Sequence, residues 1–133
     1  MTNCRRNAGL LIAILCLASL CGATDKKQLT AALAAVEANL KTHAGKQYDE
    51  TLGTDFVAHY LPAVKQCKQS TAGTNADPFD MFLRLNGDGK VLEALVYPET
   101  PLALCTRTAL AAATFTAPPH SDYWANIHMQ PKR

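Results

Sequence analysis

A chain of 133 residues is one small domain's worth. Its 13 Lys and Arg against 11 Asp and Glu give a formal net charge of only +2. That leaves no basic patch of the kind that binds nucleic acid, and no basic amphipathic helix that would mark a membrane surface.

The chain opens with a positive stretch at Cys4 to Arg6, then an apolar run from Ala8 to Leu20, then Cys21 and Ala23 as small residues three and one before a cut. This predicts a secretory signal peptide over residues 1–23, cleaved after Ala23. The apolar run is short beside the about 20 residues of a spanning helix. The alternatives are an uncleaved anchor, or lipoprotein processing at Cys16 or Cys21, where the preceding Leu15 and Leu20 are poor fits. Cleavage removes Arg5 and Arg6 and no acidic residue, so 11 basic residues would face 11 acidic ones, with a net charge of 0. Cys4, Cys16 and Cys21 also leave, which isolates Cys67 and Cys105 as one pair in an oxidising compartment. A bridge between them is worth roughly 3–4 kcal/mol in the chain-entropy model. Without a C-x-x-C or a His at ligand spacing, the pair reads as a disulfide rather than a metal site, and neither metal nor cofactor is expected.

From Asp25 the pattern is helical. Leu29, Leu33, Val36 and Leu40 fall on one face, Thr24 or Asp25 can cap the start, and Gly45 is expected to end the run. A second helical stretch runs from about Tyr48 or Thr54 to Gln69, burying Leu52, Phe56, Leu61 and Val64, with a kink or break at Pro62. Residues 24–70 thus form an N-terminal helical segment, and 71–78 a turn-rich linker.

The period then changes to two. Phe79, Met81, Leu83 and Leu85 alternate with Asp80, Phe82 and Arg84, which predicts a strand. The NGDGK turn offers two hairpin centres. A loop at Asp88-Gly89 sets Leu85 opposite Leu92, Leu83 opposite Ala94 and Met81 opposite Val96, all on one face, so that register is preferred. Read as a calcium loop, the same stretch would place Arg84 and Leu95 at positions that need oxygen ligands, which excludes it. Thr100 caps a further helix with Pro101 at its first position, and Leu102, Cys105, Ala109 and Ala112 or Ala113 form its stripe. A break over residues 116–122 precedes a last strand, Tyr123 to Met129. The expected fold is α+β: two N-terminal helices, then a β-β-α-β module over residues 79–133, packed as one domain. Its three-stranded antiparallel sheet has the order 2-1-3.

The features FLRLNGDGKV, PETPLA, Ala109-Leu110, FTAPP and YWANIHM, spread over residues 79–129, resemble the C-terminal domain of the TonB family. The resemblance implies a small module of the bacterial envelope that binds other proteins, receiving an extended peptide by strand addition near its last strand. The long Pro-rich segment and the convincing membrane anchor of TonB energy transducers are not matched here.

Three functions follow from these features. The first is a non-catalytic periplasmic binding or adaptor module, whose partner is another envelope protein taken up through an open sheet edge. Trp124, Asn126 and His128 are its candidate contact residues, although an N-terminal helix could instead cover Trp124. The second is an envelope inhibitor or immunity protein that blocks a toxin or hydrolase. The third, should residues 1–23 be an uncleaved anchor, is a TonB-like energy transducer component. An enzyme is not expected. His43, His59, His120, His128, Ser70, Ser121 and Asp122 form no motif, and the contiguous His120-Ser121-Asp122 lacks the reach across elements that a triad needs.

Overall fold

The computed structural model describes residues 24–131; the expected signal peptide and the terminal Lys132 and Arg133 lie outside the described residues. The elements are α1 (Lys26–Leu40), α2 (His43–Asp55), a π-helical turn (Phe56–Tyr60), α3 (Leu61–Ser70), β1 (Phe79–Leu85), β2 (Val91–Tyr97), α4 (Pro101–Leu110) and β3 (Tyr123–Met129). The class is α+β, and the sheet is three-stranded and antiparallel in the order β2-β1-β3, as expected. No helix among the described residues is long and apolar enough to cross a membrane.

β1 is central and is buried on both faces. Phe79, Met81, Leu83 and Leu85 point inward with Val96, Tyr123 and Ala125 against Leu52, Phe56, Val64, Leu102 and Leu110. Phe82 points the other way and packs with Leu95 under Ala32 and Val36 of α1, with Leu29, Leu40 and Trp124 at the margin. The helices therefore occupy both faces of the sheet, α1 on the outer one and α2, α3 and α4 on the inner one. Cys67 of α3 and Cys105 of α4 are bridged, with Cα atoms 5.7 Å apart, so the disulfide joins two inner-face helices.

Several local expectations are corrected. The hairpin is not closed by a two-residue loop. Asn86 N–H donates to Lys90 C=O and Gly89 N–H to Asn86 C=O, each at 3.0 Å, so Gly87, Asp88 and Gly89 form a three-residue loop. Gly89 takes a φ of +83°, and a Cβ there would collide with the Phe115 carbonyl oxygen; only glycine fits. Leu85 consequently pairs with Val91, not Leu92. A bulge then restores the expected pairs, Leu83 with Ala94 and Met81 with Val96. Leu92 is the extra residue and is left exposed.

Gly45 does not terminate α1. It lies in the first turn of α2, where Thr42 Oγ1 accepts from its N–H at 2.9 Å. Pro62 is accommodated by the preceding π-helical turn, in which Leu61 N–H reaches back to Phe56 C=O and widens the helix where a proline removes a donor. In α4 the buried stripe is Leu102, Ala103, Thr106 and Leu110, while Ala109 is exposed. The inner sheet face demands the bulk of Leu110. In α1, Leu33 stays 46% exposed while Ala32 is fully buried, because the close approach to Phe82 admits a small side chain there.

Residues 113–116 leave α4 as a strap along the hairpin. Val91 N–H donates to Ala113 C=O and Phe115 N–H to Gly89 C=O. The α2 side clamps the strap. Tyr48 Oη donates to Thr116 C=O at 2.7 Å, Tyr60 Oη to Thr114 C=O at 2.6 Å, and Thr116 N–H donates to the Asp55 carboxylate at 2.7 Å. Burial, then the nearby Asp55 and Tyr123, push the Tyr48 hydroxyl far above its ordinary range. The Thr116 hydrogen bonds hold the Asp55 carboxyl below its usual value, with His59 adding a smaller effect. Asp55→Asn is therefore expected to cost about 1–2 kcal/mol at neutral pH, with allowance for partial exposure. A depressed carboxyl stabilises the fold above its unfolded value near 4, and that contribution is lost as the pH falls through the folded value. Urea unfolding at pH 7 and in acid checks this: the deficit of the variant should shrink in acid, and an undiminished one would assign the effect to lost packing.

Candidate functional site

Among the described residues β3 pairs with β1 on one side only, and the hydrogen-bonding phase of the ladder decides which of its backbone groups face away. Asn86 bonds toward β2 through Lys90. By alternation along β1, Leu85, Leu83, Met81 and Phe79 bond toward β3. Their partners are Tyr123, Ala125, Ile127 and Met129. The backbone N–H and C=O groups of Trp124, Asn126 and His128 consequently point outward. A second observation agrees, since Asn39 Nδ2 of α1 donates to Trp124 C=O at 2.9 Å.

The outer edge is thus in two halves. The first is covered where α1 turns into α2: Asn39 caps the Trp124 carbonyl, and the Tyr48 ring packs edge-on against Tyr123 with centroids 4.9 Å apart. A closed seam lined by Val36, Asn39, Leu40, Tyr48 and Asp49 runs along residues 123–126. The second half, at Asn126 and His128, is the stretch that an extended chain could still pair with.

The three candidate residues point their side chains to the outer face, beside α1. Trp124 is half-buried against the α1 cluster. Asn126 Nδ2 donates to Asp80 Oδ1 at 3.4 Å, and His128 Nδ1 lies 3.0 Å from the same oxygen. The His128–Asp80 pair is largely solvent-exposed and contributes little to stability.

Next to this half-edge lies a groove of about 610 Å³, walled by Leu29, Leu33, Val36 and Leu40 of α1, with Phe82 on its floor. Glu37, Asp49, Asp80, Tyr97, Asn126 and His128 complete the lining. Among the described residues, the lining contains three carboxylates and no Lys or Arg. Burial, with neighbouring Glu50, pushes the Asp49 carboxyl up. The sequence pattern marks the Trp124, Asn126 and His128 side of this region but not Leu33, Glu37 or Asp49 as part of it. The signal that points to them is Phe82, an apolar residue on the polar face of β1 that requires a cover.

The residues weighed for catalysis are dispersed. His120 Nε2 is 3.3 Å from Asn39 Oδ1, and Asp122 accepts from Arg84. Among the described residues no three His, Cys, Asp or Glu side chains converge to hold a metal. In comparisons with family models, with curated proteins and with solved structures, the chain matches none.

Proposed function

We propose that the protein is an exported, periplasmic protein-binding module of TonB C-terminal-like architecture. Its partner is an extended segment of another envelope protein, added as a strand at the second half of the β3 edge. The observation that carries this reading is the outward-facing backbone of Asn126 and His128 immediately beside an apolar, acid-rimmed groove. Backbone pairing supplies affinity in this mode, and alternate side chains supply selectivity. A segment that places an apolar side chain between Leu33 and Phe82 and a Lys or Arg near Glu37, Asp49 or Asp80 matches the lining in both shape and sign. The opposite edge is a poorer site, since β2 is bulged at Leu92 and begins under the 113–116 strap. The Cys67–Cys105 bridge fits a periplasmic or extracellular location.

Asn126→Pro tests the reading, because the N–H it removes points away from β1. Capture from an envelope extract is expected to yield a protein whose binding falls about tenfold or more in the variant, with the unfolding midpoint nearly unchanged. Undiminished capture would rule the edge out. A captured hydrolase or toxin that loses activity on binding would favour the inhibitor reading over the adaptor.

A further inference from the structure

We propose that Glu99 is the receptor for the α-ammonium group formed when the chain is cut between Ala23 and Thr24. The backbone nitrogen and the hydroxyl of Thr24 both donate to Glu99 Oε1, each at 2.7 Å, across 75 positions of sequence. Thr24 is also the residue at which the Cys21 and Ala23 pattern places the new N-terminus. Two different readings, one of a cleavage pattern and one of a hydrogen-bond pair, therefore meet on one atom.

The reaction is hydrolysis by an envelope signal peptidase. Water adds across the Ala23–Thr24 peptide bond, Ala23 keeps a carboxylate, and the Thr24 nitrogen becomes a protonated amine. That nitrogen already points at the carboxylate, so no rearrangement is needed. A hydrogen bond in which only the carboxylate is charged becomes an ion pair in which donor and acceptor both carry charge.

The surroundings explain why a receptor is needed. The new charge appears beside the positive end of α1, whose first turn has no acidic residue. Lys26 and Lys27 follow directly, and the Asp25 carboxylate is engaged with Lys27 N–H. From α4, Arg107 Nη1 approaches Glu99 Oε1 at 3.5 Å. Asp25 and Glu99 are both carboxylates in this neighbourhood, and Glu99 is the one that the Thr24 nitrogen contacts. It immediately precedes Thr100, whose side chain caps α4, and α4 is bridged to α3. The Thr24 contact thus ties the start of α1, the wall of the groove, to the disulfide-linked body.

The test uses protein exported from the full chain. Intact mass is expected to show a start at Thr24. Acetylation selective for the α-amine keeps the N–H donor but removes the charge. It should lower Tm by about 2–3 °C, and it should have no such effect in Glu99→Gln. The acetylation effect should also fade in 1 M salt, a measurement that does not depend on the variant folding. A start at another residue would overturn the proposal. So would an acetylation effect that is as large in Glu99→Gln as in the unaltered protein, or one that salt leaves unchanged.

Discussion

Replacing both Cys67 and Cys105 by alanine is expected to lower stability by about 4 kcal/mol. The bridge closes a loop with a sequence separation of 38 residues, and a loop of that size restricts the unfolded chain by about this much in the entropy model. Against a typical stability of about 5–15 kcal/mol, that is a large share. The folded state loses something as well. α3 and α4 line the same inner face, and Ile127 and Met129 of β3 pack at the margin of their cluster. Loosening the helices therefore loosens the strand proposed to bind. Urea unfolding of the oxidised protein and of the double variant measures the difference. A loss below about 1 kcal/mol would mean that the unfolded chain is already restricted without the bridge.

The strands are legible in the sequence because an apolar residue recurs at every second position, even though Phe82 and Trp124 add apolar side chains on the other face. Phe79–Leu85 and Tyr123–Met129 have the same bounds in the pattern and in the structure. The hairpin register expected from the pattern holds beyond the bulge and fails at Leu85. The cause is non-local, since the 113–116 strap bonds to Gly89 and Val91 and so rewards a three-residue loop that nothing in NGDGK itself demands. The helix ends are misjudged for a related reason. Glycine at position 45 carries the ordinary meaning of a terminator, yet here it serves close approach between two helices. Half of the candidate site is visible in the sequence, as the polar and aromatic residues of an edge strand. The other half depends on α1 crossing the outer face, a placement that helical periodicity cannot specify. The pairing of Thr24 with Glu99 is likewise beyond local pattern.

The α1–α2 turn supplies the sharpest test of how the edge is guarded. Gly45 is buried where the helices meet, and a Cβ built on it would collide with the Asn39 carbonyl oxygen and lie 2.8 Å from Thr42 Oγ1. The first of these neighbours is backbone and cannot swing away, so Gly45→Ala must push α1 and α2 apart. Overpacking of this kind costs about 3 kcal/mol. Asn39 is the residue displaced, and it caps the Trp124 carbonyl. Separation of the helices should therefore loosen the cover over the first half of β3. Trp124 is the sole tryptophan, so its fluorescence should shift to the red as its packing against α1 is lost. Opening this half would lengthen the edge available to a partner strand, and binding per folded molecule should hold or rise, the reverse of the Asn126→Pro result. Gly53→Ala is the control. It lies in α2 with nothing within 4 Å of the added carbon, so alanine should stabilise the protein by about 0.5–1 kcal/mol through helix propensity alone. If both glycine variants gave the same small shift and left the Trp124 emission unchanged, the α1–α2 turn would accommodate a Cβ at Gly45 without separating, and the cover over β3 would not depend on that contact.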